Sequence, residues 1–346
     1  MSPAAESIVG WGFVGASTWA GRYLSPAVAA VPGSRGVGVF SSSRERGEEF
    51  AASNGLEKTY ASLEELLADP AVEAVYVSST NDRHAEQTIA AARAGKHVLC
   101  EKPLALELAD AEAMVAAAAE AGVVLGTNHH LRASATIGAM RRALGEGAIG
   151  EVVAARVFHA RWLLDELQTW RISADDPGAG VVLDITPHDV DTIRFLLGDE
   201  VAEVTALLAN QGLAEGAVED SAMGVLRMRG GQLVSFHDAF TVPQAETGLE
   251  LHGTTGSLIG REVLLPDPVG EVLLRRGDEV EEIEVGERRP IYEGVVESFA
   301  AAVRGDGAPL ASGEDGVRSL EVALATLRSG REKRTIAISG PATKGA

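Results

Sequence analysis

Lys102, Asp184 and His188 have side chains suited to carbonyl chemistry. Lys102 follows an apolar run that ends at Cys100, and Pro103 restricts the backbone of this lysine. Asp184 lies four residues before His188, a spacing that places two side chains on one face of a continuous helix. Lysine can polarise a carbonyl oxygen, and histidine is the usual proton donor near neutral pH. These residue types predict a site in which a carbonyl or hydroxyl group gains or loses a proton.

The same residues also have structural interpretations. Most lysines are exposed, so Lys102 by position alone is more simply an ordinary surface lysine. Asp184 and His188 can form a hydrogen-bonded network at a helix start. If Pro187 is the first helical residue, Asp184 lies in the preceding loop and the two side chains no longer share a helix face. The residues by themselves leave these alternatives open.

A turn of the kind that binds dinucleotides follows the first predicted strand, Ile8 to Val14. It matches the form G-x-G-x-x-G/A at Gly15 and Ala20, with Ser17 in place of the middle glycine. Such a loop presents a pyrophosphate to the N-terminus of the next helix. The predicted contacts of this loop are Gly15, Ser17, Thr18 and Ala20. With one glycine missing, a plain strand-to-helix turn is an equal alternative for the segment alone.

The end of the second predicted strand, Gly36 to Phe40, bears on the choice between the two nicotinamide dinucleotides. A carboxylate at this point holds a ribose 2′-hydroxyl, whereas hydroxyl groups and arginines hold a 2′-phosphate. Serines and arginines follow the strand, with no carboxylate at its tip. We therefore predict NADP(H), with Ser41, Ser42 and Arg46 as contacts. In the alternative, the serines cap the next helix and the arginines are solvated.

A polar segment, 78–84, follows the predicted strand Ala74 to Ser78. Loops at the carboxyl ends of parallel strands line the ligand crevice, so small polar residues such as Thr80 and Asn81 can bond a ribose or a carboxamide. Taken alone, this segment is simply a helix N-cap. It therefore adds to a dinucleotide site only together with the first two loops.

The order of strands and helices predicts how these loops are positioned. Short apolar strands alternate with helical segments from Ser7 to about Asn128, which predicts right-handed crossovers and a parallel sheet. Pro26 should kink or split the first helix. After Asn128, long strand-like runs without intervening helices predict a largely antiparallel sheet. Two late helices, 292–303 and 316–329, cover one side of the structure or return to the first domain.

We therefore predict an α/β protein of two domains. Residues 1–128 form a dinucleotide-binding Rossmann domain with a doubly wound parallel sheet. Residues 129–340 form an α+β domain for substrate binding and oligomerisation, with an open, mostly antiparallel sheet. Residues 341–346 form a disordered tail. The chain is a monomer or a homo-oligomer that associates through the second sheet, and the charges of 279–287 indicate a solvated sheet edge.

Composition excludes several classes of protein. A net charge of −20 argues against binding to nucleic acid. No apolar run approaches the ~20 residues of a membrane span, and the first residues do not resemble a signal peptide, so we expect a cytoplasmic protein. The single cysteine, Cys100, is expected to be a buried core residue in a reducing compartment. No spacing near His188 brings three ligands together, so no metal is predicted.

The motif Glu101-Lys102-Pro103, at this distance after the dinucleotide turn, resembles that of the glucose-fructose oxidoreductase and inositol dehydrogenase family, written Gfo/Idh/MocA. Asp184 and His188 match the D-x-x-x-H element of the family, and the likeness spans nearly the whole chain. The resemblance implies a Rossmann domain followed by an open-sheet domain, with Lys102 binding and polarising the substrate. It also favours the catalytic interpretation of Asp184 and His188.

Further segments are similar to a bacterial member of this family that reduces a sugar carbonyl with NADPH; they are 74–81, 95–105, 122–132, 156–160 and 183–195. This resemblance implies a sugar substrate. It also implies a set of cofactor contacts, namely Ser17, Ala20, Ser41, Arg46, Thr80, Asn81, His84, Glu101, Lys102, Asn128, Trp170, Arg171 and Tyr292. Hydride delivery to a carbonyl leaves an alkoxide, and whether His188 or Lys102 protonates it stays open.

Two other functions stay open at this point. The first is an NAD(P)-dependent sugar or inositol dehydrogenase, and the missing carboxylate after Phe40 argues against its NAD-linked form. The second is a regulator that senses the cofactor without catalysis, against which the joint presence of Lys102, Asp184 and His188 argues. The exact sugar follows from the resemblance alone, because residue order does not show the shape of a pocket.

Overall fold

The structure is a computed structural model that describes residues 8–339. Contacts between residues divide the chain into two compact units. Of the described residues, 8–133 and 289–317 form the first unit, and 134–288 and 318–339 form the second. The predicted domain ranges, 1–128 and 129–340, stay predictions. The predicted disordered tail, 341–346, lies outside the described residues.

A six-stranded parallel sheet forms the centre of the first unit. Its strands are β1 (Val9–Val14), β2 (Ser34–Phe40), β3 (Lys58–Tyr60), β4 (Ala74–Val77), β5 (His97–Cys100) and β6 (Leu125–Thr127). They lie in the order β3-β2-β1-β4-β5-β6, so the direction of winding reverses beside β1. This topology confirms the predicted doubly wound sheet. Every residue of β1 is buried, as expected for a central strand covered on both faces.

Helices follow the strands of this sheet, namely α1 (Ser25–Ala30), α2 (Arg44–Ser53), α3 (Leu63–Ala68), α4 (His84–Arg93) and α5 (Leu108–Ala121). A π-helical turn, Ala20–Leu24, precedes α1, and Pro26 lies in the first turn of α1. Proline has no backbone N–H to continue the earlier hydrogen bonds, so the hydrogen-bonding pattern changes there. Helical angles continue through Leu24 and Ser25, so the irregularity predicted at Pro26 is a change from π-helical to α-helical bonding rather than a break.

A nine-stranded sheet forms the centre of the second unit. Its strands are β7 (Val152–Ala160), β8 (Val201–Ala209), β9 (Ser221–Met228), β10 (Leu233–Ala239), β11 (Gly248–Gly253), β12 (Ser257–Arg261), β13 (Glu271–Arg276), β14 (Glu279–Glu282) and β15 (Ile336–Ala337). The order is β14-β13-β12-β11-β7-β10-β9-β8-β15. Only β7 and β10 pair in parallel, so the predicted mostly antiparallel sheet is confirmed. The exposed residues of β14 form the predicted solvated edge.

The remaining helices of the described chain are α6 (Ala135–Gly145), α7 (Val181–Asp184), α8 (Thr186–Leu197), α9 (Ile291–Val303) and α10 (Gly313–Glu332). The expectation of strands without intervening helices is wrong between β7 and β8, where α7 and α8 lie. The buried apolar residues Val190, Ile193 and Leu196 recur at helical spacing in α8. Pro187 lies in the first turn of α8, where its missing N–H has no partner to lose.

Aromatic packing joins α9 to the core of the first unit. Trp11 and Phe13 of β1 are fully buried, and the rings of Trp11 and Phe299 lie 5.3 Å apart between their centroids. The helix α9 therefore returns to the first unit, which is one of the two placements predicted for the late helices.

Part of the second sheet is apolar and exposed. Leu207 of β8 and Met223 and Val225 of β9 are 73%, 55% and 42% exposed. The predicted association of two chains through this sheet stays a prediction. None of the helices within residues 8–339 combines the length and the hydropathy that a membrane span requires.

Candidate active site

The loop after β1 requires glycine at its first position. Gly15 has a φ of +105°, and a Cβ there would lie 2.7 Å from the backbone nitrogen of Ser79 and 2.9 Å from the carbonyl oxygen of Ser78. The Gly15 N–H donates to the carbonyl of Phe40, at 2.8 Å. The loop after β1 is thus tied to the end of β2 and pressed against the end of β4. This close approach of backbones is what a dinucleotide-binding turn needs.

Ser17, which replaces the middle glycine, caps the helical turn that follows. Its hydroxyl accepts a hydrogen bond from the Ala20 N–H at 3.0 Å and lies 3.1 Å from the hydroxyl of Ser78. Thr18 is exposed and Ala20 is fully buried. The replacement therefore keeps a helix N-terminus in place, where N–H groups and the helix dipole favour a phosphate.

The segment after β2 contains both a serine that caps the next helix and an exposed arginine that could bind a phosphate, which the sequence left as alternatives. Ser43 caps α2, because its hydroxyl accepts from the Arg46 N–H at 3.3 Å, and the hydroxyl of Ser41 accepts from the Ser43 N–H at 3.3 Å. Arg44 pairs with Glu48, so its charge is used within the helix. The guanidinium of Arg46 is exposed and makes no ion pair with any residue between 8 and 339. Capping therefore leaves Arg46 available to a 2′-phosphate.

The loop after β4 contains an unsatisfied donor. Asn81 opens a short 3₁₀ turn before α4, and its side chain is 9% exposed. Its amide nitrogen is buried and has no acceptor among the residues that the structure describes. Buried polar atoms nearly always have a partner, so such a donor indicates a group that the protein itself does not supply. Together with Gly15, Ser17 and Arg46, it makes this strand edge fit a dinucleotide.

The loop that carries Lys102 is held by a buried histidine. His84 of α4 is fully buried, and its Nδ1 lies 2.9 Å from the carbonyl oxygen of Pro103. A carbonyl oxygen only accepts, so Nδ1 carries the hydrogen. Burial lowers the pKa of His84, which favours the neutral ring, while the carbonyls of Pro103 and Ser79 act in the opposite direction. The geometry gives His84 a positioning role beside Lys102, and its predicted contact with the cofactor stays a prediction.

Glu101 forms the centre of a hydrogen-bonded network behind Lys102. Its carboxylate accepts from the Tyr76 hydroxyl, from the Asn128 amide nitrogen at 2.6 Å and from the Lys102 backbone N–H at 3.3 Å. Burial raises the pKa of Glu101, while the charge of Lys102 and these donors lower it. The network fixes a carboxylate next to the ammonium-bearing residue. The amide oxygen of Asn128 is buried without a donor in the described part of the chain.

Tyr292 of α9 belongs to an aromatic cluster of the first unit that sequence reasoning missed. Its ring stacks between Tyr23 and His130, with centroids 5.1 Å away on each side, and its hydroxyl accepts from the indole N–H of Trp19. These partners lie far apart in the chain, and no local pattern signals such a contact. The cluster fixes Tyr292, whose contact with the cofactor stays a prediction.

In the second unit, Asp184 is bound to a residue that was predicted to contact the cofactor. The Arg171 Nε donates to Asp184 Oδ2 at 2.9 Å, and the guanidinium lies 4.5 Å from the ring centroid of Trp170. Arg171 and Trp170 form a 3₁₀ turn. A buried carboxylate with such a partner is held in one orientation. The predicted cofactor contacts of Trp170 and Arg171 are not tested by this geometry.

Asp184 and His188 lie on successive helices, so neither predicted arrangement holds. Asp184 is the last residue of α7, Ile185 keeps helical angles, and His188 lies in the first turn of α8. The expected continuous helix is interrupted because Pro187 cannot donate, and Asp184 still lies in a helix rather than a loop. Both side chains are buried, at 4% and 7% exposed.

Glu219 holds the start of α7 and was missed by sequence reasoning. Its carboxylate accepts from the Val182 N–H at 3.4 Å, and its carbonyl accepts from the Val181 N–H at 3.0 Å. Gly180 has a φ of +106°, and a Cβ there would lie 2.2 Å from Glu219 Oε1. A carboxylate at a helix N-terminus is favourable, and here it fixes the helix that ends in Asp184.

Two further predictions concern cysteine and metal chemistry. Cys100 is fully buried, and burial raises the pKa of its thiol, which confirms the expected core residue. Between residues 8 and 339, no group of three or more His, Cys, Asp and Glu side chains is arranged to hold a metal ion.

Two family models match the chain, one in the part that forms the first sheet and one in the part that forms most of the second. Residues 9–129 match the family model described as oxidoreductase family, NAD-binding Rossmann fold, of GFO/IDH/MocA. Residues 137–259 match the model of the GFO/IDH/MocA C-terminal domain.

Three similar proteins are named for sugar or inositol substrates. The 1,5-anhydro-D-fructose reductase of Ensifer adhaerens is 51% identical over 92% of this chain and 95% of its own. The myo-inositol 2-dehydrogenase of Thermotoga maritima is 33% identical over 84% of this chain and 87% of its own. The crystal structure of the aldose-aldose oxidoreductase from Caulobacter crescentus has a TM-score of 0.87 and 26% identity, covering 95% of this chain and 99% of that one.

The replacement Gly15→Ala tests the dinucleotide turn. We expect it to lower the free energy of unfolding by about 1–3 kcal/mol, since a Cβ at this φ meets backbone atoms, and to weaken binding of a reduced nicotinamide dinucleotide. Urea unfolding and dinucleotide fluorescence measure the two effects. Gly55→Ala is the control, because Gly55 also has positive φ but open space around it. Equal losses in both variants, with binding intact, would contradict the assignment.

Proposed function

The chain belongs to the Gfo/Idh/MocA oxidoreductase family, and from this membership we propose that it reduces the C2 carbonyl of 1,5-anhydro-D-fructose to 1,5-anhydro-D-mannitol with NADPH. The observation that carries the proposal is the identity with the Ensifer adhaerens reductase over nearly the whole chain. An oxidoreductase that acts on CH–OH and C=O groups follows from the family itself.

The preference for NADPH rests on the loop after β2. Arg46 is exposed and unpaired among the described residues, and Ser41 and Ser42 lie at the same strand end. A guanidinium and hydroxyl groups bind a phosphate, whereas a ribose diol needs a carboxylate that this strand end lacks. The loop therefore supports a site for the 2′-phosphate.

The other loops of this strand edge would hold the rest of the dinucleotide. Gly15 and Ser17 would receive the pyrophosphate at the helix start, and the free amide donor of Asn81 would bind a hydroxyl or carbonyl oxygen. Tyr292, Asn128 and the remaining predicted contacts belong to the same proposal. When bound, NADPH supplies the hydride for the carbonyl carbon.

Lys102 is proposed to polarise the carbonyl oxygen. An ammonium that binds an oxygen more strongly as it becomes an alkoxide lowers the barrier, since only interactions that strengthen in the transition state accelerate a reaction. His84 fixes the loop through the Pro103 carbonyl, and the Glu101 carboxyl group accepts from the Lys102 backbone N–H. These contacts fix the backbone around Lys102 before the reaction, so that little reorganisation is needed when the charge develops.

His188 is proposed to protonate the alkoxide, and Asp184 to orient the sugar. Histidine suits this role because its ordinary pKa of ~6.5 allows both protonation states near neutral pH. The ion pair with Arg171 holds Asp184 in one orientation, and carboxylates bind sugar hydroxyl groups as acceptors. In this account Lys102 stabilises the charge and His188 supplies the proton.

A second candidate function is oxidation of an inositol or a sugar alcohol with NAD(P). The identity with the myo-inositol 2-dehydrogenase of Thermotoga maritima favours it. The same acid–base groups can also catalyse the oxidation, which is the reverse reaction. The loop after β2 argues against a strict preference for NAD.

Absorbance of the reduced nicotinamide measures the proposed reaction directly. We expect rapid NADPH oxidation with 1,5-anhydro-D-fructose and much slower NADH oxidation. Reduction of NAD by myo-inositol without any turnover of 1,5-anhydro-D-fructose would contradict the proposal and favour the second candidate.

The phosphate site predicts a difference between two neighbouring arginines. Arg46→Ala should raise the KM for NADPH about tenfold or more and leave the KM for NADH nearly unchanged, because a charge-assisted hydrogen bond to phosphate is lost. Arg44→Ala is the matched control, since Arg44 pairs with Glu48. Steady-state kinetics with NADPH and NADH measure these KM values. Equal changes of the KM for NADPH in the two variants would refute the assignment of Arg46 to the 2′-phosphate.

The role of Lys102 predicts a loss of turnover without a loss of binding. Lys102→Met should lower kcat at least about 100-fold, as removal of an oxyanion-stabilising group does elsewhere, while binding of NADPH stays measurable. Stopped-flow turnover and fluorescence titration measure the two quantities. The control is Lys333→Met, at an exposed position. Wild-type turnover in Lys102→Met would exclude this role.

A further inference from the structure

A cluster of buried polar side chains lies behind His188, within the second unit. Asp189 follows His188 in α8, is 3% exposed, and its Oδ1 lies 2.7 Å from His159 Nδ1. Asp238 of β10 is fully buried, and its Oδ2 accepts from the Thr186 hydroxyl at 2.5 Å. His159 and Asp238 are partners in the parallel ladder of β7 and β10. Two helix residues and two strand residues thus meet in one place.

The two carboxyl groups of this cluster face each other. Asp189 is bonded to His159, which is the ladder partner of Asp238, so the two carboxyl groups are neighbours within hydrogen-bonding reach of one another. Asp189 Oδ2 and Asp238 Oδ1 are both buried and have no hydrogen-bond partner in the described part of the chain. An ionised carboxylate only accepts, so a hydrogen bond between the two groups needs a proton on one of them. Two adjacent negative charges are also unfavourable in a buried site, so both carboxyl groups are not ionised together.

We propose that Asp189 and Asp238 share one proton and act as positioning residues for His188, by holding the first turn of α8 against β7 and β10. The positioning role rests on the proposed function of His188, whereas the shared proton does not.

The geometry explains how the pair acts on its neighbour. Thr186 and Asp189 flank His188 in the chain, and each is bonded to the sheet, so both sides of the histidine backbone are fixed. Successive side chains of a helix differ in direction by roughly 100°. The side chain of His188 therefore leaves the helix in a different direction from that of Asp189, while its backbone is held by the bonds of Thr186 and Asp189.

The cluster makes the fold sensitive to high pH. Burial raises the pKa of Asp189 to about 7, and burial together with the Asp189 charge raises the pKa of Asp238 well above its ordinary value. His159 and Thr186 face the pair and lower the pKa of Asp238. Because the folded state binds these protons more tightly than the unfolded chain, the stability they contribute is lost as pH rises through the folded-state pKa values.

Asp238→Asn tests the shared proton. Its amide can still donate to Asp189 and accept from Thr186, but it cannot ionise. From about pH 7 to about pH 9, the Tm of the wild-type chain should fall by several degrees more than the Tm of Asp238→Asn. Asp199→Asn is the control, because Asp199 accepts from the Gly230 N–H in the same unit, away from the pair. It should follow the wild type.

Parallel loss of Tm in wild type and Asp238→Asn would overturn the shared proton. If Asp238→Asn does not fold, Asp189→Asn provides the same test from the other side of the pair, because its amide can donate to Asp238. Neither measurement needs a substrate, so a wrong substrate assignment cannot affect the result.

The pH profile of kcat/KM for 1,5-anhydro-D-fructose tests the positioning role. In Asp238→Asn, the alkaline fall of kcat/KM should shift to higher pH by about one pH unit or more. Asp199→Asn should keep the wild-type profile. A profile of Asp238→Asn that coincides with the wild type would overturn the positioning role, even where the Tm supports a shared proton. Absence of turnover in the wild type would instead contradict the proposed function.

Discussion

Parallel strands end at a common edge of their sheet, and the candidate site of the first unit depends on this constraint. The loops or first helical turns after β1, β2, β4 and β5 contain four residues that are widely separated in the chain, namely Gly15, Arg46, Asn81 and Lys102. Because the sheet reverses its winding beside β1, the loops leave room for a ligand at this edge. The predicted cofactor contacts and Lys102 are brought to one edge by the sheet rather than by local sequence.

Buried hydrogen bonds then fix what the strand ends bring together. Glu101 with Tyr76 and Asn128, and His84 with Pro103, hold the lysine loop from behind. In the second unit, Arg171 and Glu219 hold the helix that ends in Asp184. A buried polar group without a hydrogen-bond partner costs free energy of folding. Hydrogen-bonded networks therefore fix side chains more strictly than apolar packing does. Reactive groups held in this way need little rearrangement before they act.

Periodicity in the sequence predicted most elements, because apolar alternation and helical spacing are local properties. The predicted strands Ile8 to Val14 and Ala74 to Ser78 match β1 and β4 to within one residue at either end, and Pro26 lies where a π-helical turn gives way to α1. β3 escaped prediction because it has only three residues and lies mostly exposed. The Lys102 motif was likewise visible, since its residues are contiguous.

Long-range contacts explain the rest. Tyr292 bonds to Trp19 across 273 positions, and Glu219 holds a helix 37 residues away, so no local pattern signals either one. The ion pair of Arg171 with Asp184 also escaped prediction, because it depends on the folded chain. The Asp189 and Asp238 pair also forms only when helix and sheet meet.

The most direct measurement is the fate of a labelled hydride. Purified protein would receive 1,5-anhydro-D-fructose and NADPH that carries deuterium at C4 of the nicotinamide, and the product would be identified by NMR. The account predicts 1,5-anhydro-D-mannitol with deuterium at C2. A product with deuterium at another carbon, 1,5-anhydro-D-glucitol, or oxidation of NADPH without label in the sugar would contradict it.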